Sequence, residues 1–255
     1  MFRPIAFFLL SVSSLVAQDA ASEKSASASF RFFSFDSGDA APLVVRAQGG
    51  VVPVDRPSNR FGMPVRIMPN DHAVSFYDMP PPSEGSGSAK PSFHLDDRAR
   101  PSVRFQASSA PRQLVVLFPS GAQKRARVFE DGEKHFPPRS VMVVNATGVP
   151  LVFSLAGKRQ SLTPNKVNVV RIPPAKSGVR TDTPVSIAST PDGKDKLLYS
   201  TLWREADDLR YFVIIYQSAE GEVLVRAVSD KVSSYTAEAA DEKEKSPAKK
   251  PSDRR

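Results

Sequence analysis

The run Tyr211-Phe212-Val213-Ile214-Ile215-Tyr216 decides the fold class. Every residue in it is β-branched or aromatic, which is the signature of a strand. Two further runs read the same way, Leu114-Val115-Val116-Leu117-Phe118 and Val141-Met142-Val143-Val144. Each is short and bounded by Pro, Gly, Asn or Asp, and their spacing suits an all-β sandwich. No window of a dozen residues carries an apolar period of 3.6. The 23 Pro among 255 residues argue further against long helices, because proline breaks a helix interior. Phe30, Phe32, Phe33 and Phe35 break strict alternation between 32 and 33, which predicts either a bulge or a strand buried on both faces.

The apolar runs belong to a larger repeat. Pro42-Leu43-Val44 followed by Gly49 is echoed by Pro150-Leu151-Val152 followed by Gly157. Val65-Arg66-Ile67 followed by Pro69 is echoed by Val170-Arg171-Ile172 followed by Pro174. Residues 114–131 resemble 212–230: an apolar strand, a turn holding Ser and Gly, and a return strand with Arg and Val that ends on Asp. The echoes keep the same order, at offsets of 108, 105 and 98–99 residues. Three ordered matches predict an internal duplication. The expected architecture is two tandem β-sandwich, Ig-like domains, at 28–131 and 138–231, each of ordinary size for seven or eight strands. Each holds 13 basic and 10 acidic residues, counted over 28–131 and 132–230.

Residues 132–137 form the expected linker, stiffened toward an extended form by Pro137-Pro138. Residues 79–92, MPPPSEGSGSAKPS, predict a mobile low-complexity loop. The second domain is expected to finish as a meander, with strands near 196–203, 209–217 and 222–228. The tail 232–255 has no large apolar residue after Tyr235 and is expected to be disordered.

The first 17 residues read as a secretory signal peptide. Arg3 supplies the basic start, Ile5 to Val16 the apolar stretch, and Ala17 a small residue at the cut. A flexible lead-in at 18–27 follows. The apolar stretch is too short for a membrane-spanning helix, which needs about 20 residues, so no transmembrane span is expected. Complete absence of Cys excludes disulfides, thiolate catalysis and Cys-ligated metal. Export without disulfides fits a bacterial periplasm or exterior.

Chemistry-bearing patterns are sparse. His72, His94 and His135 lack metal-ligand spacing, and no nucleophile elbow, Walker loop or dinucleotide fingerprint occurs. No catalytic residue, metal or cofactor is expected. Asn145-Ala146-Thr147 matches a glycosylation sequon, but Thr147-Gly148 reads as turn chemistry. The net charge of +8 reads as basic residues mixed evenly with acids, which argues against a nucleic-acid patch. Trp203, the only Trp, lies on a strand and shares a face with Leu197, Tyr199 and Thr201 if alternation is strict. With Tyr199 and Tyr211 it is the candidate stacking platform for a sugar, although a core role suits a lone strand Trp better. The expected function is a non-enzymatic binding or structural protein of the bacterial envelope. It would act through protein–protein contacts, and the expected partner is an envelope protein or polysaccharide. A carbohydrate-binding module and a sandwich-fold enzyme acting on envelope polysaccharide are the alternatives. Two sandwich domains of this size are also the architecture of periplasmic assembly chaperones, a parallel of architecture alone.

Overall fold

The computed structural model describes residues 27–35, 43–47, 50–69, 72–79, 95, 99–120, 123–173, 182–190, 194–204, 206–218 and 220–232. The expected signal peptide lies outside these residues. So do the lead-in, the 79–92 loop and the tail, apart from residues 27, 79 and 232. The described structure is strands and turns, without helix.

The first half holds β1 (Ala28–Ser34), β2 (Leu43–Ala47), β3 (Gly50–Val54), β4 (Val65–Ile67), β5 (Ala73–Asp78), β6 (Val103–Gln106), β7 (Arg112–Ser120) and β8 (Gln123–Glu130). The second holds β9 (Ser140–Asn145), β10 (Leu151–Leu155), β11 (Lys158–Leu162), β12 (Val167–Arg171), β13 (Asp182–Ser189), β14 (Lys196–Arg204), β15 (Leu209–Gln217) and β16 (Val223–Lys231). Each half folds into two four-stranded sheets. The inner sheets run β4-β1-β7-β8 and β12-β9-β15-β16; the outer sheets run β3-β2-β5-β6 and β11-β10-β13-β14. Strand for strand, the two halves have the same order. In both, the first strand pairs antiparallel with the fourth and parallel with the seventh.

The three sequence echoes occupy corresponding places in this register. Val65 pairs with Phe30 as Val170 pairs with Val141. Leu43 pairs with Val54 as Leu151 pairs with Leu162. Gln113 pairs with Glu130 as Tyr211 pairs with Ser229.

Each half is sandwich-like, with its own core between inner and outer sheets. The first core includes Phe30, Phe32, Phe76 and Phe105. The second includes Phe153, Ile187, Trp203 and Val213. A third core lies between the two inner sheets, where Phe33, Phe61, Leu114, Phe129, Phe136, Phe212 and Ile214 meet. The sheets therefore stack as outer, inner, inner, outer. This explains the Phe cluster. The pairing of β1 with β7 runs unbroken from Ser29 to Ser34, so there is no bulge. Phe30 and Phe32 enter the first core while Phe33 turns into the seam between halves.

Two expectations change. The 132–137 segment is not an extended spacer. His135 and Phe136 both donate their backbone N–H to the Gly132 carbonyl, closing a turn, and the Phe136 ring is fully buried in the seam. The turn closes before Pro137-Pro138, and burial of the ring anchors it. The closing meander also fails, because β14 and β15 lie in different sheets. Six consecutive residues of β15, from Arg210 to Ile215, are buried, which requires a central strand covered on both faces. By contrast β14 alternates toward exposure and forms an edge. Of these three strands, β15 and β16 alone pair with each other, as a hairpin.

Candidate interaction surface

Trp203 and Tyr211 are enclosed in the second core. Their rings stack at 4.5 Å with planes 4° apart, and Phe153 lies 6.4 Å from Trp203. Trp203 is 5% exposed, so the face expected to meet a sugar meets Tyr211 instead. The Tyr211 hydroxyl donates to the Arg204 carbonyl at 2.8 Å. Tyr199 is half-buried against the same core. Leu197 departs from the alternation that groups it with these residues. A register shift between Ile187 and Ala188 leaves Leu198 as an extra residue opposite them, and turns Leu197 outward.

Burial raises the Tyr211 pKa, outweighing the nearby Arg204 charge. A folded-state pKa above the unfolded value means the neutral phenol is favoured by folding. Its contribution is complete below about pH 10 and is lost as pH rises through the folded value. Stability measured in urea is therefore expected to fall above about pH 10, and Tyr211→Phe is expected to flatten that fall. An unchanged alkaline slope in the variant would refute the assignment.

His72 is exposed, with φ of 60°, and His135 Nε2 lies 2.7 Å from Glu130 Oε2. His94 lies outside the described residues. Among the described residues no three His, Asp or Glu converge as metal ligands. No helix among them is long and apolar enough to cross a membrane. The sequon asparagine is fully buried and serves its turn. Asn145 Nδ2 donates to the Val149 and Leu162 carbonyls, while its Oδ1 accepts from Thr147 N–H and Oγ1–H.

A buried ion cluster, unforeseen in the sequence, ties the halves together. Arg31 on β1 reaches Asp131 through Nε and Nη2, both at 2.7 Å. It reaches Asp230, at the end of β16, through Nη1 and Nη2, both at 3.0 Å. Arg210 on β15 meets Asp230 through Nε and Asp131 through Nη2, each at 2.7 Å. Its Nη1 donates to the Phe136 carbonyl at 2.6 Å. All four side chains are at most 3% exposed. The Arg31 guanidinium sits 4.8 Å from the Phe61 ring, and that of Arg210 sits 4.3 Å from Phe136. Two guanidiniums against two carboxylates balance the charge, with every bond charge-assisted. The cluster has no open face toward solvent and acts as a joint.

The accessible features lie at sheet edges. Strands β12, β14 and β16 each pair on one side only among the described residues. Exposed apolar side chains sit on all three: Val167 and Val169, Leu197 and Leu202, and Leu224. A shallow depression of about 190 Å3 lies on the second outer sheet, floored by Ser154, Ser186 and Ala188 and flanked by Leu197 and the Arg159–Asp195 ion pair. Charge is also uneven, contrary to the mixing expected. Between Glu133 and Asp182 the chain has eight Lys and Arg and no Asp or Glu. Of these, Lys158, Arg159 and Arg171 lie on edge strands β11 and β12 and Lys166 just before β12, forming a basic flank, while Lys176 and Arg180 lie outside the described residues.

No protein-family model and no curated protein matches this chain.

The surface features therefore carry the functional reading by themselves. The basic flank was visible in the order of charges. The ion cluster left only the Asp that closes each return strand as a trace.

Proposed function

We propose that this chain is an exported, non-enzymatic binding or structural protein of the bacterial cell envelope, acting through protein–protein contacts. The observation that carries the reading is the set of strands with one ladder neighbour only, among the described residues, on a joined scaffold. An edge offers unpaired N–H and C=O groups, and strand addition uses them for affinity. The buried seam supports a fixed spacing between edges in the two halves. Export rests on the signal-like residues 1–17. Ig-like sandwiches arising by internal duplication account for the matching strand order and for the echoes at corresponding register positions.

Immobilised chain is expected to retain a stoichiometric protein partner from envelope extract at moderate salt. Capture of polysaccharide alone, or of nothing once salt is raised, would refute protein-directed binding. Mass spectrometry of the exported chain is expected to find Gln18 at its N-terminus.

A further inference from the structure

Where β8 of the first half meets β12 of the second, three observations converge. The first is a backbone edge with no second ladder partner among the described residues. Asn145 N–H donates to Lys166 O at 3.0 Å and Ile172 N–H to Arg139 O at 2.9 Å. In an antiparallel ladder this alternation turns Val167, Val169 and Arg171 backbone groups away from β9, toward the open side. The other half shows how such an edge is closed. Val65 of β4 corresponds to Val170, and the residue before it is Pro64, leaving β4 only three residues long. Proline lacks the N–H that strand addition needs. At the same place β12 carries Val169.

The second observation is the side-chain surface. Val167 lies opposite Val144 and Val169 opposite Met142, so both face the seam, yet they are 40% and 43% exposed. Alternate apolar side chains beside a free edge suit an extended chain. A hydrated polyanion would gain nothing from them.

The third observation is charge. Arg127 lies opposite Val116 and also faces the seam. It is half-buried and donates to the Asn165 carbonyl at 2.8 Å, at the start of β12. Its guanidinium lies 5.9 Å from the Phe129 ring, no ion pair to a carboxylate is seen for it among the described residues, and burial lowers its pKa. A desolvated guanidinium without an acid gains from a carboxylate ligand. Exposed Arg125, Lys166 and Arg171 extend the positive rim.

We propose that this rim binds an extended, carboxylate-rich protein segment, added as a further strand along the free edge of β12. The inference rests on the protein-binding reading above and specifies its partner.

The test uses the full chain and a fluorescent, acetylated octapeptide of alternating Glu and Val, read by anisotropy. Binding is expected, and should weaken about tenfold or more when alternate peptide nitrogens are methylated. Alternating Lys and Val should not bind. Val169→Pro should weaken binding about tenfold, and Arg127→Gln similarly, with unchanged thermal unfolding. Equal binding of the acidic and basic peptides would overturn the proposal, as would indifference to both substitutions. Dextran sulfate binding as tightly, with Val169→Pro without effect, would make the flank a polyanion site and overturn it too. Tighter peptide binding by a chain cut after Val232 would assign the edge to the chain's own tail and overturn an outside partner. Peptide failure alongside successful capture from envelope extract sinks this inference alone; failure of both sinks the proposed function.

Discussion

Arg31→Met is expected to destabilise the protein by about 3–5 kcal/mol, the usual cost of removing one partner from a buried ion pair. Methionine is an informative replacement because the corresponding position of the second half is Met142. Arg31 pairs with Leu114 as Met142 pairs with Phe212. The side chain therefore suits the strand, and the loss reports on charge. Without Arg31, Asp131 and Asp230 share Arg210, with Arg112 Nη2 no nearer than 4.0 Å to Asp131. Two buried carboxylates then face one fully buried guanidinium. Adding Asp230→Asn restores the balance, and the double variant is expected to be more stable than the two single losses predict by about 0.5–3 kcal/mol. Urea denaturation of the four proteins closes the cycle. A single-variant loss under about 1 kcal/mol, or strict additivity, would show that the cluster is not coupled. Burial alone would lower the Arg31 pKa, but the Asp131 and Asp230 carboxylates overcome this and hold it raised. A raised basic group contributes fully below its unfolded pKa and is lost only as pH rises through the folded value. For an arginine that window lies beyond ordinary handling, so no loss from Arg31 itself is expected at neutral or mildly alkaline pH.

Phe212→Ala is expected to cost about 3–5 kcal/mol. The ring is fully buried, with Phe129 at 5.5 Å, Phe61 at 5.8 Å and Phe33 at 6.5 Å. Three of these four rings belong to the first half and Phe212 to the second. The cavity would therefore open in the seam itself. The same seam predicts that the halves unfold together. Trp203 fluorescence reports only on the second core, while far-UV circular dichroism reports on all strands, and in the unsubstituted chain the two transitions are expected to coincide. Separated transitions would mean that the halves are independent and that the seam contributes little. In Phe212→Ala both midpoints should move to lower urea.

Much of the architecture was legible in local pattern. Short β-branched and aromatic runs marked β7, β9 and β15, because burying apolar faces at strand length leaves few other sequences possible. The ordered echoes marked two similar halves, because corresponding strands must meet the same neighbours. Thr147-Gly148 was legible as the break between β9 and β10. The basic stretch before Asp182 was equally legible, but totals for each half hid it.

What the chain order could not supply was the partner of each face. Phe33 and Arg31 look like ordinary strand residues until the inner sheets are placed back to back. Their partners Phe212 and Asp230 lie about 180 and 199 residues away, so no local spacing announces them. Phe136 looked like linker because its burial depends on both halves at once. Leu197 turned outward because of a bulge in a pairing that alternation along one strand does not contain. Local sequence determined which residues become strands and which turn, since that follows from side-chain shape and period. Only tertiary structure decided which faces are shared and which edges stay open, since charge pairing and burial are properties of surfaces brought together.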